Sequence, residues 1–128
     1  LVLDRSRVHV DEESSQIRLK QHLEFEKRHH GADPKATFQD EAEASQTLTD
    51  VAQVLEIYAT IRVEIQGHTH TPDARLDDWS HELARHRAEK VKETLVLLGV
   101  APGRLAAVGK PGRHGTGRSE VVFRILDP

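Results

Sequence analysis

Hydrophobic and polar residues alternate most regularly in one stretch near the middle of the chain. Ile61, Val63 and Ile65 share one parity, which is typical of a strand with one buried face. Gly67 follows and is predicted to end the strand by letting the backbone turn. Two histidines and Thr69 then stand at the carboxyl end of the strand. Because α/β sheets commonly bind ligands at this end of their strands, we expect the functional site here.

Two longer segments repeat apolar residues at spacings of three and four, which predicts amphipathic helices. The first helix is predicted over residues 40–58. The second is predicted to begin at Asp77 or Asp78 and to run to Leu98. Gly99 follows at the position expected for a C-cap. The predicted stripes are Ala44, Leu48, Val51, Leu55 and Tyr58 in the first helix and Trp79, Leu83, Ala84, Ala88, Val91, Leu95 and Leu98 in the second.

Shorter alternating runs predict the remaining strands. Val8 and Val10 precede a polar turn, and a second strand is predicted from Ile17 to about Glu26, giving an N-terminal hairpin. Two further strands are predicted at 105–108 and 121–126, separated by a glycine-rich, mobile loop over 109–117. The resulting order, β-β-α-β-α-β-β, predicts an α+β sandwich in which two long helices cover one face of a mixed sheet.

Composition narrows the class of protein. A chain of 128 residues is long enough for one domain. Its net charge of −3 argues against a dedicated nucleic-acid binder, and the absence of Cys excludes disulfides and thiolate chemistry. No apolar run reaches the roughly 20 residues that span a bilayer. The chain opens on Leu1 and has no Met, so we expect a piece of a longer protein, with membrane contact only through the missing parts.

Three segments carry a resemblance to a known family. G-H-T-H at 67–70, L-A-R-H-R-A-E-K-V at 83–91 and L-G-V-A-P-G-R-L-A-A-V-G at 98–109 resemble the OmpA-like C-terminal domain of bacterial envelope proteins. The resemblance covers about residues 8–126 and leaves 1–7 as an N-terminal flank. It implies a βαβαβ core, a location in the periplasm or cell envelope, associated with the outer membrane, and a non-catalytic module without a cofactor. Such modules bind peptidoglycan by gripping the diaminopimelate of its stem peptide.

The resemblance also implies the ligand-binding residues. Arg87 matches the helix Arg that holds the carboxylate of diaminopimelate, and Thr69 matches the Thr of the family's G-H-T-D. His70 stands where that motif has the Asp that holds the amine. Ser80 stands at a helical Asn, and Arg118 lies in the segment that aligns with the family's closing N-R-R-V-E. Since Asp with Arg recognises a zwitterion whereas His with Arg favours an anion, the exchange at position 70 predicts weakened binding of ordinary peptidoglycan.

The charged residues near the strand ends allow several interpretations. If both histidine-bearing tips reach one edge of the sheet, the set gathered there is Arg28, His29, His30, His68, His70, Arg87, Lys110, Arg113 and His114. Three interpretations of this edge are open. It is a solvated rim without a role, an anion site, or a zinc-type site that uses His68, His70 and a third ligand. For Arg87, the alternative to a ligand contact is a salt bridge to Asp73 or Asp77. Trp79 is interpreted as a packing residue rather than a stacking platform.

Catalytic patterns are weak. Ser80 and His81 are adjacent on a helix and point apart, so they do not form a nucleophile–base pair. The glycine-rich loop lacks the G-K-[S/T] ending of a phosphate-binding loop. The leading hypothesis is therefore a non-enzymatic module that binds peptidoglycan or a related anion. The alternative is a divergent domain that has lost this ligand and serves protein–protein contact or a structural role.

Overall fold

The computed structural model describes residues 7–126 as a mixed five-stranded sheet with two helices. Its elements are β1 (Val8–Asp11), β2 (Gln16–Leu19), α1 (Glu41–Ile57), β3 (Arg62–Thr69), α2 (Asp78–Leu97), β4 (Leu105–Pro111) and β5 (Glu120–Leu126). The strand order is β1-β2-β5-β3-β4, with β3 and β4 parallel and the other pairs antiparallel. The predicted α+β fold and order of elements are confirmed.

Both helices lie within one residue or so of their predicted bounds. The carboxylate of Asp40 accepts a hydrogen bond from the backbone N–H of Glu43 at 3.1 Å and caps α1. Asp77 caps α2. After α2, Gly99 takes a φ of +102°, a left-handed conformation that side chains disfavour. No helix in residues 7–126 combines the length and apolarity needed to cross a membrane.

The core lies between the helices and one face of the sheet. Val63 and Ile65 are fully buried, while Arg62 is exposed and Glu64 is partly exposed, which confirms the predicted register of β3. Ile61 precedes the strand and is only half-buried. The N-terminal flank predicted over residues 1–7 lies, apart from Arg7, outside the described residues.

The prediction that Gly67 turns the backbone is wrong, since β3 continues through it to Thr69. A Cβ on Gly67 would lie 2.2 Å from the carbonyl oxygen of Ala84 in α2. The residue is therefore required by the close approach of α2 to the sheet. The same holds on β4, where a Cβ on Gly109 would lie 2.7 Å from the backbone nitrogen of Arg85 in α2. Because β4 extends to Pro111, the predicted loop over 109–117 is shorter than expected.

The second strand of the hairpin is also shorter than predicted. It ends at Leu19, although the alternation continues to Phe25. The segment beyond it pairs instead with the residues that lead into α1, through an isolated bridge between Phe25 and Phe38. Its apolar side chains still reach the core, as Leu23 shows with 5% exposure. The alternation in this segment thus predicted correctly which side chains turn inward. It did not predict which strand the backbone pairs with.

Candidate functional site

A cleft of about 310 Å³ lies at the carboxyl end of β3. Its walls come from that strand end and the segment after it, from the first turns of α2, and from the segment after Glu26. Four of the five predicted ligand-binding residues line it: Thr69, His70, Ser80 and Arg87. We refer to this space as the cleft.

Arg87 is the most unusual residue of the cleft because it is a cation with only 8% of its surface exposed. Its guanidinium lies over the ring of Phe25, 5.2 Å from the centroid, and donates to the backbone carbonyl of Glu26 at 3.4 Å. Its Nε has no hydrogen-bond partner within residues 7–126. Burial lowers the pKa of Arg87, and the positive charge of Arg28 lowers it further.

The salt bridge considered for Arg87 is not formed. Asp73 lies 3.5 Å from Arg113, and Asp77 lies 2.7 Å from His30. In the part of the chain that the structure describes, no carboxylate lies within ion-pair distance of the Arg87 guanidinium. An uncompensated buried cation is unfavourable, so its charge and its free donor are available to an anion that enters the cleft.

Thr69 and His70 are adjacent at the end of β3, but Thr69 is buried and His70 is exposed. Thr69 is 3% exposed, and its hydroxyl lies 2.7 Å from the hydroxyl of Thr71. His70 is exposed, with Nδ1 3.1 Å from the carbonyl oxygen of Gly117. Since a carbonyl oxygen only accepts, Nδ1 carries the proton in this bond and Nε2 is the nitrogen open to a ligand.

The Ser80 hydroxyl is engaged in the cap of α2. It accepts from the backbone N–H of Asp77 at 2.9 Å and donates to the carbonyl oxygen of Asp77 at 2.8 Å. The Asp77 carboxylate in turn accepts from the Ser80 N–H at 3.1 Å, which completes a capping box. This geometry gives Ser80 a structural role at the wall of the cleft, and its predicted ligand contact stays a prediction.

Arg118 does not line the cleft. Its Nε lies 3.2 Å from the Glu120 carboxylate, and its side chain is 77% exposed. The next residue, Ser119, lines the cleft instead. A ligand contact by Arg118 therefore requires a different side-chain position and remains a prediction.

His68 lies on the opposite face of the sheet from the helices, as its parity in β3 requires. Its Nε2 lies 2.9 Å from the amide oxygen of Gln66, and its Nδ1 accepts from the Thr116 N–H at 2.9 Å. Burial is the main cause that lowers the pKa of His68. Because both ring nitrogens have protein partners, His68 does not share a metal with His70 in this arrangement. Residues 7–126 contain no cluster of three or more potential metal ligands.

The charged edge predicted from the sequence forms only in part. Arg28, His30, His70 and Arg87 line the cleft. His114 instead contacts His81, with ring centroids 5.2 Å apart.

Sequence reasoning missed several contributors to the cleft and its support. Lys27 and Arg75 add charge to its wall, and Phe25 supports Arg87 from below. The alternation predicted that Phe25 faces the core, but it did not predict that the Arg87 guanidinium lies over its ring.

Trp79, interpreted from the sequence as a packing residue, is half-buried and forms part of the cleft wall. Its ring meets the His30 ring edge-on, with centroids 5.0 Å apart, and its indole N–H donates to the carbonyl oxygen of Ala32. These contacts attach the segment around His30 to the start of α2. The cleft is thus bounded by two parts of the chain that are far apart in sequence.

Comparison with known proteins agrees with the resemblance in the sequence. The profile of the OmpA family matches residues 33–119, more than half of the chain. Outer membrane porin F of Pseudomonas fluorescens is 40% identical over 62 residues, which cover 47% of this chain. The chain spans only 18% of the length of that porin.

Solved structures share the fold at low sequence identity. An outer membrane protein of Borrelia burgdorferi has a TM-score of 0.64 at 19% identity, with 99% of this chain and 96% of that chain covered. The periplasmic domain of Helicobacter pylori MotB has a TM-score of 0.62 at 17% identity, covering 98% and 84%. The peptidoglycan-associated lipoprotein of Burkholderia pseudomallei has a TM-score of 0.57 at 16% identity, covering 83% and 91%. From the match over residues 33–119 and this shared fold, the chain belongs to the OmpA family.

Proposed function

We propose that this domain is a non-catalytic module that binds the peptidoglycan stem peptide in the cleft, within the periplasm or cell envelope of a bacterium. The observation that carries the proposal is the buried Arg87, whose Nε lacks a partner among the described residues. Arg87 also stands at the position that holds the ligand carboxylate in the family resemblance. The name of one structural relative, a peptidoglycan-associated lipoprotein, supports the proposed ligand, and the name of another, a periplasmic domain of MotB, supports the proposed location.

The energetics favour a ligand carboxylate at Arg87. Burying a guanidinium without a counter-charge is unfavourable, and a bound carboxylate removes that penalty. A charge-assisted hydrogen bond of this kind contributes about 1.5–3 kcal/mol. The Phe25 ring and the Glu26 carbonyl hold the guanidinium in place before the ligand arrives, so little side-chain entropy is lost on binding.

The hydroxyl groups of the cleft favour binding rather than catalysis. The Ser80 hydroxyl is engaged in the helix cap, and the Thr69 hydroxyl bonds to Thr71. The hydrogen-bond partners of these two hydroxyls, another hydroxyl and backbone groups, are not bases that activate a nucleophile.

Co-sedimentation with purified peptidoglycan sacculi tests the proposal. We expect the native domain to sediment with sacculi and Arg87→Ala to lose at least about tenfold in affinity, as follows from the loss of one charge-assisted bond. Arg113→Ala is the matched control, since Arg113 pairs with Asp73 outside the cleft and is 69% exposed. Binding that is unchanged in Arg87→Ala would overturn the proposed site.

A second candidate function is favoured by His70. His70 stands in place of the carboxylate that the family resemblance assigns to the ligand's ammonium group, so this candidate is a domain that has lost peptidoglycan binding and serves as an interaction or structural module. Exposed apolar side chains at the C-terminal ends of the helices, Ile57 at 48% and Leu97 at 87% exposure, fit such a role. In that case the native domain fails to sediment with sacculi, and His70→Asp regains binding.

A further inference from the structure

In the part of the chain that the structure describes, the charged side chains that line the cleft are all cationic. The side chains with a positive charge or an imidazole are Lys27, Arg28, Arg75, Arg87, His30 and His70, and no Asp or Glu among residues 7–126 lines the cleft. This holds although the whole chain carries a net charge of −3. The concentration of positive charge is therefore a property of this site and not of the molecule as a whole.

Three carboxylates near the cleft have partners within the protein. Glu26 lies 3.4 Å from the Arg28 guanidinium, and Asp77 lies 2.7 Å from His30 and caps α2. Asp73 pairs with Arg113 and is 78% exposed. Each of these three carboxylates has a positively charged or imidazole partner, which reduces the negative charge that it presents to a ligand.

His70 does not change this balance in either protonation state. Its Nδ1 is committed to the carbonyl oxygen of Gly117. Its Nε2 presents a neutral lone pair when the ring is uncharged and an N–H donor when the ring is protonated. Neither form supplies the negative charge that an ammonium group needs next to the Arg87 guanidinium.

We infer that the cleft selects a ligand whose anionic group, a carboxylate or a phosphate, has no ammonium group beside it, and that His70 determines this specificity. The inference rests on the proposed binding role of the cleft and goes beyond it by naming the class of ligand, which within a stem peptide is a carboxylate whose neighbouring amine is acylated and therefore uncharged. Arg87 holds the anion, the outer cations Lys27 and Arg75 attract it, and an adjacent ammonium is repelled by all three.

Pimelate and meso-diaminopimelate form a matched pair of probes. Both are seven-carbon dicarboxylates, and they differ only in the two amino groups. NMR titrations at pH 7.5 measure weak dissociation constants for the native domain, His70→Asp, Arg87→Gln and the control Arg113→Gln. Inorganic phosphate is titrated in parallel. His70 is exposed, so His70→Asp is expected to fold.

We expect the native domain to bind pimelate at least about tenfold more tightly than diaminopimelate. In His70→Asp this ratio should fall by at least about tenfold, because the new carboxylate pairs with the ammonium. Arg87→Gln should weaken pimelate binding, and Arg113→Gln should leave it unchanged. If phosphate binds more tightly than pimelate, the anionic group is a phosphoryl group; the reverse order identifies a carboxylate, and either order supports the inferred class.

Equal or tighter binding of diaminopimelate by the native domain would overturn the inference, as would a ratio that His70→Asp leaves unchanged. The sacculus assay separates this outcome from the proposed function. Co-sedimentation without a preference for pimelate retains the proposed function and rejects the inference. A preference for pimelate without co-sedimentation retains the inferred ligand class and rejects peptidoglycan as the ligand.

Discussion

At the scale of a single residue, the buried charge of Arg87 that is proposed to bind the ligand also destabilises the folded domain. The guanidinium is buried, its Nε is unsatisfied within the described residues, and its charge is opposed by Arg28. We predict that Arg87→Met, which keeps a long chain over the Phe25 ring but removes the charge, raises the free energy of unfolding by about 1–2 kcal/mol. Urea unfolding measures this change. The control Arg113→Met should stay within about 0.5 kcal/mol of native. A clear loss of stability in Arg87→Met would mean that the cation–π and carbonyl contacts outweigh the desolvation of the charge.

His68 makes stability depend on pH. Its neutral form accepts a hydrogen bond from the Thr116 N–H, which protonation would abolish. Burial and the charges of Lys110 and Arg118 lower the pKa of His68, while Glu120 opposes them. Because the folded pKa lies below the ordinary value of 6.5, the unfolded chain takes up the proton first. The stability that neutral His68 contributes is therefore complete above pH 6.5 and decreases as the pH falls toward the folded pKa.

We predict that His68→Gln reduces this pH dependence. A Gln amide can still donate to Gln66 and accept from Thr116, but it does not titrate. Thermal melts at pH 8 and pH 5 should show a drop in Tm that is smaller in the variant than in the native domain by about 3–6 °C. The comparison cancels the other histidines of the chain. An equal drop in both proteins would show that His68 does not carry the effect.

The individual residues of the cleft were predictable to different degrees. Thr69, His70 and Arg87 follow from short motifs on a strand end and a helix, where local periodicity determines the direction of each side chain. Phe25 and Lys27 lie on a segment whose backbone has no partner in the main sheet. Their place beside Arg87 depends on a long-range path that no local pattern encodes.

At the scale of elements, α2 lies against the sheet at a distance that only glycine permits. Gly67 on β3 and Gly109 on β4 each face the backbone of α2. We predict that Gly67→Ala lowers the free energy of unfolding by about 1–3 kcal/mol or more, since the added methyl group meets the Ala84 carbonyl. Chemical denaturation provides the measurement.

Gly103→Ala is the matched control for that substitution. A Cβ at Gly103 would meet no atom within 4 Å, so the variant should be neutral or slightly stabilised. If Gly67→Ala and Gly103→Ala behave alike, α2 is free to move away from the sheet.

The elements themselves were largely predictable because strong periodicities and three residues at helix ends specify them. Asp40, Asp77 and Gly99 determine helix ends through local hydrogen bonds and backbone conformation. The prediction errors arose where one sequence pattern has two possible structural explanations. An alternating run such as 17–26 indicates burial whether or not its backbone joins a ladder. A glycine at a strand end, such as Gly67, indicates a turn or a close contact equally well.

At the scale of the whole molecule, a chain of net negative charge carries a positively charged cleft. We predict that raising NaCl from about 0.02 M to 0.5 M weakens pimelate binding about threefold, because salt screens the exposed Lys27 and Arg75 more than the buried Arg87. The double variant with Lys27→Gln and Arg75→Gln should show a flatter salt dependence. Arg124→Gln, an exposed position on β5 outside the cleft, serves as the control. Abolition of binding by salt would indicate that Arg87 contributes little.

The position of Trp79 gives the domain an optical reporter of its own. It is the sole tryptophan of the chain, and it forms part of the cleft wall beside His30. A ligand that fills the cleft displaces water from one side of the indole. The fluorescence emission of an unlabelled, unmodified protein is then expected to shift toward the blue as the cleft fills, so that occupancy can be followed in real time and in mixtures whose other components contain no tryptophan.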